Sequence, residues 1–167
     1  MKTVTIVAFL VLSTSVLGHE VHVPTHFQSL KAALACIAKR SSPEEHAATV
    51  EQFLAKSSFT LHHFVGDTGL TVMICEPVVF TPGGMIYSRG ASGNGAYYVL
   101  LQSRDRWSIV GVLYGNTYRV AQDSTPPRIN TSAHFAADET EDFVYEWDGS
   151  VFQEIERYRT VRGTRRP

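Results

Sequence analysis

The chain has 167 residues, of which 44% are hydrophobic; this suffices for the core of one domain and leaves no room for a second full domain. Its 15 basic and 16 acidic residues give a formal net charge of −1. This near-neutral balance argues against a nucleic-acid-binding protein.

The first residues have the layout of a secretory signal peptide. Lys2 supplies a positive start, a charge-free and mainly apolar run covers Val4 to Leu17, and Gly18 is a small residue suited to cleavage. The run is shorter than the roughly 20 residues that span a bilayer. We therefore expect residues 1–18 to be removed, and the mature chain to be periplasmic or secreted without stable membrane insertion.

Cleavage at this position would place His19 at the new N-terminus. A free amine beside an imidazole can chelate copper, so His19 and His22 are candidate metal ligands. The two histidines are three residues apart rather than four, so they do not form a zinc-protease motif.

Two helices are predicted next. Thr25 and Gln28 form a capping-box pattern, which predicts a helix from about His26 to Lys39. A cap, a proline and an acid at residues 42–45 predict a second helix that ends near Lys56. Together they would form a helical hairpin joined by a tight turn.

From Phe59 onward the hydrophobic period changes to two, which is typical of antiparallel strands. Eight strands are predicted: Phe59–Phe64, Leu70–Glu76, Ala96–Gln102, Trp107–Tyr114, Thr117–Gln122, Ile129–His134, Phe143–Trp147 and Val151–Arg157. The third and fourth are apolar on both faces, so we expect them in mid-sheet beneath the helices. The fold class is then α+β: a helical hairpin packed on a mostly antiparallel sheet of seven or eight strands, in one domain over residues 19–157 with a basic tail over 158–167.

Two short turns are predicted, at Gly115-Asn116 and Asp148-Gly149. The second would place Trp147 opposite Ser150 and Tyr145 opposite Phe152. The aromatic side chains of this hairpin would share one side, which we expect to be buried; an aromatic binding surface is the alternative. The glycine-rich stretch at 90–95 matches no phosphate-binding pattern and is expected to be a mobile loop.

Cys36 and Cys75 are the two cysteines of the chain, and export to an oxidising compartment predicts a disulfide between them. We expect no cofactor. The chain has no G-x-S-x-G motif, and nothing in the sequence requires an enzyme.

One local constellation is a candidate binding site. A histidine and four carboxylates that follow it could hold a cation or perform acid–base chemistry: His134, Asp138, Glu139, Glu141 and Asp142. A solvated acidic turn is the alternative interpretation. Asn130-Thr131-Ser132 nearby fits the glycosylation sequon, which matters only in a eukaryotic source.

Residues 145–152 read Y-x-W-D-G-x-x-F. This motif resembles the closing hairpin of many small exported bacterial proteins of unknown function, and the resemblance extends over roughly the C-terminal third of the chain. It implies an envelope location and no catalytic residue.

The leading hypothesis is an exported, non-catalytic binding protein that recognises a protein or an envelope component. One alternative is a metal-binding protein or metal-dependent hydrolase that uses His134 with Asp138 and Glu141. Another is an inhibitor of a cell-wall enzyme.

Overall fold

The computed structural model describes residues 25–41, 50–65, 69–81, 84–87 and 93–166. The expected leader (residues 1–18), the candidate metal ligands His19 and His22, and the expected start of the second helix lie outside the described residues. Two helices are present in the described ranges, α1 (Leu30–Ser41) and α2 (Val50–Lys56). Neither is long and apolar enough to cross a membrane.

The described residues also contain strands on both sides of the helices. In chain order they are β1 (Thr25–Phe27), β2 (Ser58–His63), β3 (Thr71–Glu76), β4 (Val78–Thr81), β5 (Gly84–Tyr87), β6 (Gly95–Ser103), β7 (Arg106–Gly115), β8 (Thr117–Ala121), β9 (Arg128–Ala136), β10 (Glu139–Trp147), β11 (Phe152–Val161) and β12 (Thr164–Arg166). Each of the eight predicted strands is found with shifted ends. Strands β1, β4, β5 and β12 were not predicted.

The strands form two antiparallel five-stranded sheets and a separate β4–β5 ribbon. The N-terminal sheet has the order β1-β7-β6-β3-β2, and the C-terminal sheet has the order β12-β11-β10-β9-β8. The prediction of one sheet with seven or eight strands is therefore wrong, while the β-rich α+β class holds. The sheets pack face to face, chiefly where β7 meets β9.

The predicted hairpin turn at Gly115-Asn116 is instead the point at which the chain passes from one sheet to the other. Strand β8 pairs with β9 rather than with β7, and the Asn116 N–H donates to the Ser132 carbonyl at 2.7 Å. A Cβ atom on Gly115 would lie 2.8 Å from that same carbonyl oxygen. Glycine is required here because the two backbones approach this closely.

Between the sheets lies a core to which both contribute. Its buried residues are Phe64, Leu70, Val72, Ile74, Tyr97, Val99, Val110 and Leu113 from the N-terminal half, and Ile129, Ala133, Phe143, Tyr145 and Phe152 from the C-terminal sheet. The predicted burial of the aromatic side of the β10–β11 hairpin is confirmed, since Trp147 packs against this cluster as well.

The predicted register of that hairpin is wrong. Trp147 lies opposite Phe152, so the connection is a four-residue loop over residues 148–151 rather than a two-residue turn. The Asp148 carboxylate accepts hydrogen bonds from the N–H groups of Ser150 and Val151, at 2.8 and 2.9 Å. These bonds lower the pKa of Asp148, with the Val151 N–H as the main cause, and they stabilise the wider loop.

Polar groups join the two sheets across the core. The Tyr145 hydroxyl of β10 accepts a hydrogen bond from the Tyr114 N–H of β7 at 3.1 Å, and the Thr131 hydroxyl donates to the Tyr114 carbonyl. Burial is the main cause of a raised pKa for Tyr145. The backbone of β7 near its end is thus held by side chains of the C-terminal sheet.

The helices cover the other face of the N-terminal sheet. Along β6, Tyr97 and Val99 belong to the core between the sheets, while Tyr98 and Leu100 belong to the cluster beneath α1 and α2. The mid-sheet position predicted for β6 and β7 is therefore confirmed.

The predicted helical hairpin is corrected at its first helix. This helix begins at Leu30 because Thr25–Phe27 pairs with β7 as a strand, where the His26 Nδ1 lies 2.7 Å from the Ser108 hydroxyl. The second helix is described over the seven residues of α2, and its expected start and the turn before it lie outside the described residues.

The predicted disulfide is wrong, because Cys36 and Cys75 are both free thiols. Cys75 is buried under the helices, and Cys36 packs against the same cluster from α1. Burial, with a smaller contribution from the charge of Glu76, raises the pKa of the Cys75 thiol to about 12. The Cys75 thiol therefore acts as a small apolar group.

Candidate functional site

The predicted acidic constellation is divided between different surfaces and partners. Glu141 and Asp142 are neighbours in β10, so their side chains point to opposite faces of the sheet. Glu139 forms an ion pair with Arg159, and Asp138 with Arg162. Two of the four acids, Asp138 and Glu139, are therefore paired with arginines near the end of the chain, and the four are not arranged around a common ligand.

His134 lies near the end of β9 and is exposed. Its cross-strand partner in β10 is Thr140, not one of the predicted acids. No group of three or more His, Cys, Asp or Glu side chains within the described residues is placed to hold a metal ion. The structure therefore does not bring the predicted ligands of this site together.

The expectation of a frayed basic tail from residue 158 onward is also corrected. Tyr158 to Val161 continue β11, and β12 follows as an additional edge strand. The ion pairs of Arg159 and Arg162 with the β9–β10 turn region help to hold this end of the chain. Opposite charges on these paired segments thus help to stabilise the pairing of residues expected to form a basic tail.

The face of the C-terminal sheet that points away from the core, here called the outer face, brings polar residues into rows. One row crosses four strands and contains Thr117, Ser132, Asp142 and Tyr158. The row beside it contains Arg119, Asn130, Val144 and Glu156. Because alternate residues of β9 are buried in the core, these polar side chains face solvent.

A groove of about 300 Å³ follows these rows, and we call it the outer groove. The described residues that line it come from all five strands: Thr117, Tyr118, Arg119, Asn130, Thr131, Ser132, Asp142, Phe143, Val144, Tyr158 and Arg165. Arg165 of β12 reaches over the ring of Tyr158, with its guanidinium carbon 3.3 Å from the ring centroid. This cation–π contact fixes one end of the groove.

Three polar side chains of the outer groove have no hydrogen-bond or ion-pair partner among the described residues. Among the described residues, the side chains of Arg119, Asn130 and Asp142 make no hydrogen bond or ion pair. By contrast, Arg128 and Glu146 on the same face bind one another at 2.6 Å. The groove therefore offers a free guanidinium, an amide and a carboxylate to a ligand.

A second groove, of about 250 Å³, lies on the helix-side face of the N-terminal sheet. Its lining includes Leu61, Met73, Leu100 and Trp107, and 60% of the Leu61 surface is exposed. Its polar lining residues are Thr71, Gln102 and Arg104, fewer than those of the outer groove, and the Thr71 hydroxyl is already engaged by His63. The outer groove is the better candidate.

The lining residues of the outer groove can donate and accept hydrogen bonds and form ion pairs with a ligand. The described lining residues include arginines, an acid, hydroxyls and an amide, but neither histidine nor cysteine. The His62 Nε2, from β2 of the N-terminal sheet, lies 3.2 Å from the Tyr118 hydroxyl. No nucleophile with an adjacent base is assembled among these residues.

Sequence reasoning found one residue of the outer groove, Asp142, and noticed Asn130 and Ser132 only as part of a sequon. It missed Arg119, Tyr158 and Arg165. The alternation of polar residues in β8 and β9 is the signal that points to an outward polar face. The pairing of five strands that brings these residues together is not visible in any one segment.

No protein-family model, curated protein or solved structure matches this chain.

Proposed function

We propose that this is an exported, non-catalytic binding protein that recognises a protein or an envelope component through the outer face of its C-terminal sheet. The leader-like residues 1–18 motivate the proposal of export, and the resemblance of residues 145–152 to hairpins of exported bacterial proteins agrees with it. The observation that carries the proposal is the outer groove, with polar side chains free to bind.

The position of the groove on regular strands suits this role. The strands that line it are backed by the shared aromatic core, and β9 and β10 are tied to β7 through Thr131 and Tyr145. Side chains on such rigid strands keep their geometry, so less conformational entropy is lost when a ligand binds.

Co-sedimentation of the purified mature protein with isolated envelopes of the source organism tests the proposal. We expect the wild type to bind and the Arg119→Ala and Asp142→Ala variants to bind about tenfold more weakly, as for the loss of one charged hydrogen bond. Arg106→Ala is the matched control, because Arg106 is exposed on the other sheet. It should bind as the wild type does.

Equal binding by all four proteins, or no binding by any, would contradict the proposal. A search for turnover on envelope extracts adds an independent check. If turnover is found in the wild type and is absent from His134→Ala or Asp142→Ala protein, the function is catalysis and not binding alone.

A further inference from the structure

We propose that the ligand of the outer groove is an acidic polysaccharide, an elongated chain of hydroxyl-rich units that carry carboxylate or sulfate groups. This inference rests on the proposed function and names the chemical class of its ligand.

The two arginines of the groove lie at opposite edges of the sheet. Arg119 belongs to β8 and Arg165 to β12, and β9, β10 and β11 lie between them. Their backbones are four strand spacings of about 4.8 Å apart, but the Arg165 guanidinium reaches back over Tyr158 of β11, which is three spacings, or roughly 14 Å, from β8. Neither arginine forms an ion pair within the part of the chain that the structure describes. A ligand that neutralises both must therefore be elongated and carry anionic groups well apart.

The centre of the groove is polar but not cationic. Asn130, Ser132 and Asp142 present an amide, a hydroxyl and a carboxylate, and Tyr158 adds a phenol. Sugar hydroxyls both donate and accept hydrogen bonds, so they complement such a mixed set. The Asp142 carboxylate can accept a hydrogen bond from a sugar hydroxyl.

The direction of the groove also favours a polysaccharide over an acidic peptide. An extended peptide commonly binds a sheet by pairing with an edge strand through its backbone. The outer groove instead crosses the strands on their face, where the backbone groups of β9 and β10 are already engaged in the ladder. Only side chains contact a ligand there.

Neighbouring charges on the outer face leave the cationic character of the groove in place. Arg128 and Glu146 neutralise one another. Glu156 lies in the same row as Arg119 but at the far side of the sheet, and it is not one of the lining residues. The described lining thus contains two arginines and one acid.

Calorimetric titration of the mature protein with defined polymers tests the inference. The probes are polygalacturonate for carboxylate, heparin for sulfate, uncharged dextran and polyglutamate as an acidic peptide. We expect one of the acidic polysaccharides to bind at about 0.15 M salt and to weaken as salt is raised, while dextran and polyglutamate bind at least about tenfold more weakly.

Variants then locate the binding. Arg119→Ala and Arg165→Ala should each weaken polysaccharide binding about tenfold, whereas Arg106→Ala should not, and thermal melts show whether each variant is folded. The inference is overturned if neither acidic polysaccharide binds, if dextran or polyglutamate binds as tightly, or if Arg106→Ala has the same effect as the groove variants.

The two proposals can fail separately. If envelopes bind the wild type but not the groove variants, and no acidic polysaccharide binds, the groove is a binding site for another ligand and only the present inference is wrong. If neither envelopes nor polysaccharides bind, both proposals fall.

Discussion

The side-chain amide of Asn94 binds both backbone polar groups of His134. Its Nδ2 donates to the His134 carbonyl at 2.6 Å, and its Oδ1 accepts from the His134 N–H at 2.8 Å. Asn94 itself is buried. The amide makes the two hydrogen bonds that a neighbouring strand would make, and it joins the residue before β6 to β9 of the other sheet. Asn94 lies in the stretch 90–95, which was expected to be a mobile loop, and it makes a structural contact there.

Replacement of Asn94 by alanine removes this pair of hydrogen bonds. We expect Asn94→Ala to lower the free energy of unfolding by about 1–3 kcal/mol, because the N–H and the carbonyl of His134 both lose their hydrogen-bond partner. Asn130→Ala, on the outer face, should change it by less than about 0.5 kcal/mol. Urea denaturation of the two variants measures both values, and equal stabilities would show that the Asn94 contact has no structural role.

Two glycines of β7 should tolerate a methyl group to different degrees. A Cβ atom on Gly111 would lie 3.2 Å from the Phe152 Cβ, whereas one on Gly115 would lie 2.8 Å from the Ser132 carbonyl oxygen. We expect Gly111→Ala to destabilise by about 1–3 kcal/mol, as for other overpacked cores. Gly115→Ala should destabilise more, because the neighbouring atom belongs to the backbone of β9.

The order of these two effects is the informative result. Urea midpoints of the two variants, with equal m-values, give the comparison. A Gly115→Ala protein as stable as the wild type, or more stable than Gly111→Ala, would show that the sheets are not in this close contact.

Local pattern was enough to predict most strands but not their partners. The alternation of apolar residues in β6 correctly predicted a strand covered on both faces. The same kind of pattern in β8 says which residues face the core and nothing about which strand lies beside it. The predicted hairpin at Gly115-Asn116 was wrong for that reason, since β8 pairs with the strand that follows it, β9, and not with β7, which precedes it.

The candidate site shows the same limit. His134 and its acidic neighbours attracted attention because they are close in sequence, but strand alternation and ion pairs with Arg159 and Arg162 separate them. Asp142 meets Ser132 and Tyr158 only through the pairing of three strands. Residues that combine in this way carry no signal in a single segment.

His62 makes stability depend on pH. Its Nε2 lies 3.2 Å from the Tyr118 hydroxyl, and burial, followed by the charge of His63, lowers the pKa of His62. The neutral form is favoured in the folded state, so the unfolded chain binds more protons. The contribution of His62 to the free energy of unfolding is therefore fully present above its unfolded-state pKa of about 6.5. It is lost as the pH falls through the lower pKa that His62 has in the folded protein.

A His62→Gln variant should therefore lose less stability than the wild type between about pH 7 and pH 5. Urea denaturation over this pH range measures the difference. His134→Gln is the matched control because His134 is exposed, and its profile should follow that of the wild type. Parallel profiles for His62→Gln and the wild type would contradict the assignment.

The two cysteines should differ in reactivity. Cys75 is fully buried with a pKa of about 12, whereas Cys36 is partly accessible. In the folded protein iodoacetamide should modify Cys36 first, and Cys75 only on unfolding, because the thiolate is the reactive form. Mass spectrometry of Cys36→Ser and Cys75→Ser proteins checks the order. An oxidised pair that resists alkylation in denaturant would contradict the free thiols.

The proposed binding function requires that a ligand binds at the outer face of the C-terminal sheet. Backbone amide chemical shifts, recorded while soluble envelope polysaccharide is titrated into the labelled mature protein, test this most directly. We predict that the largest changes fall in residues 117–119, 130–132, 142–144 and at Tyr158 and Arg165. Changes confined to α1, α2 and the N-terminal sheet, with the outer face unaffected, would contradict it.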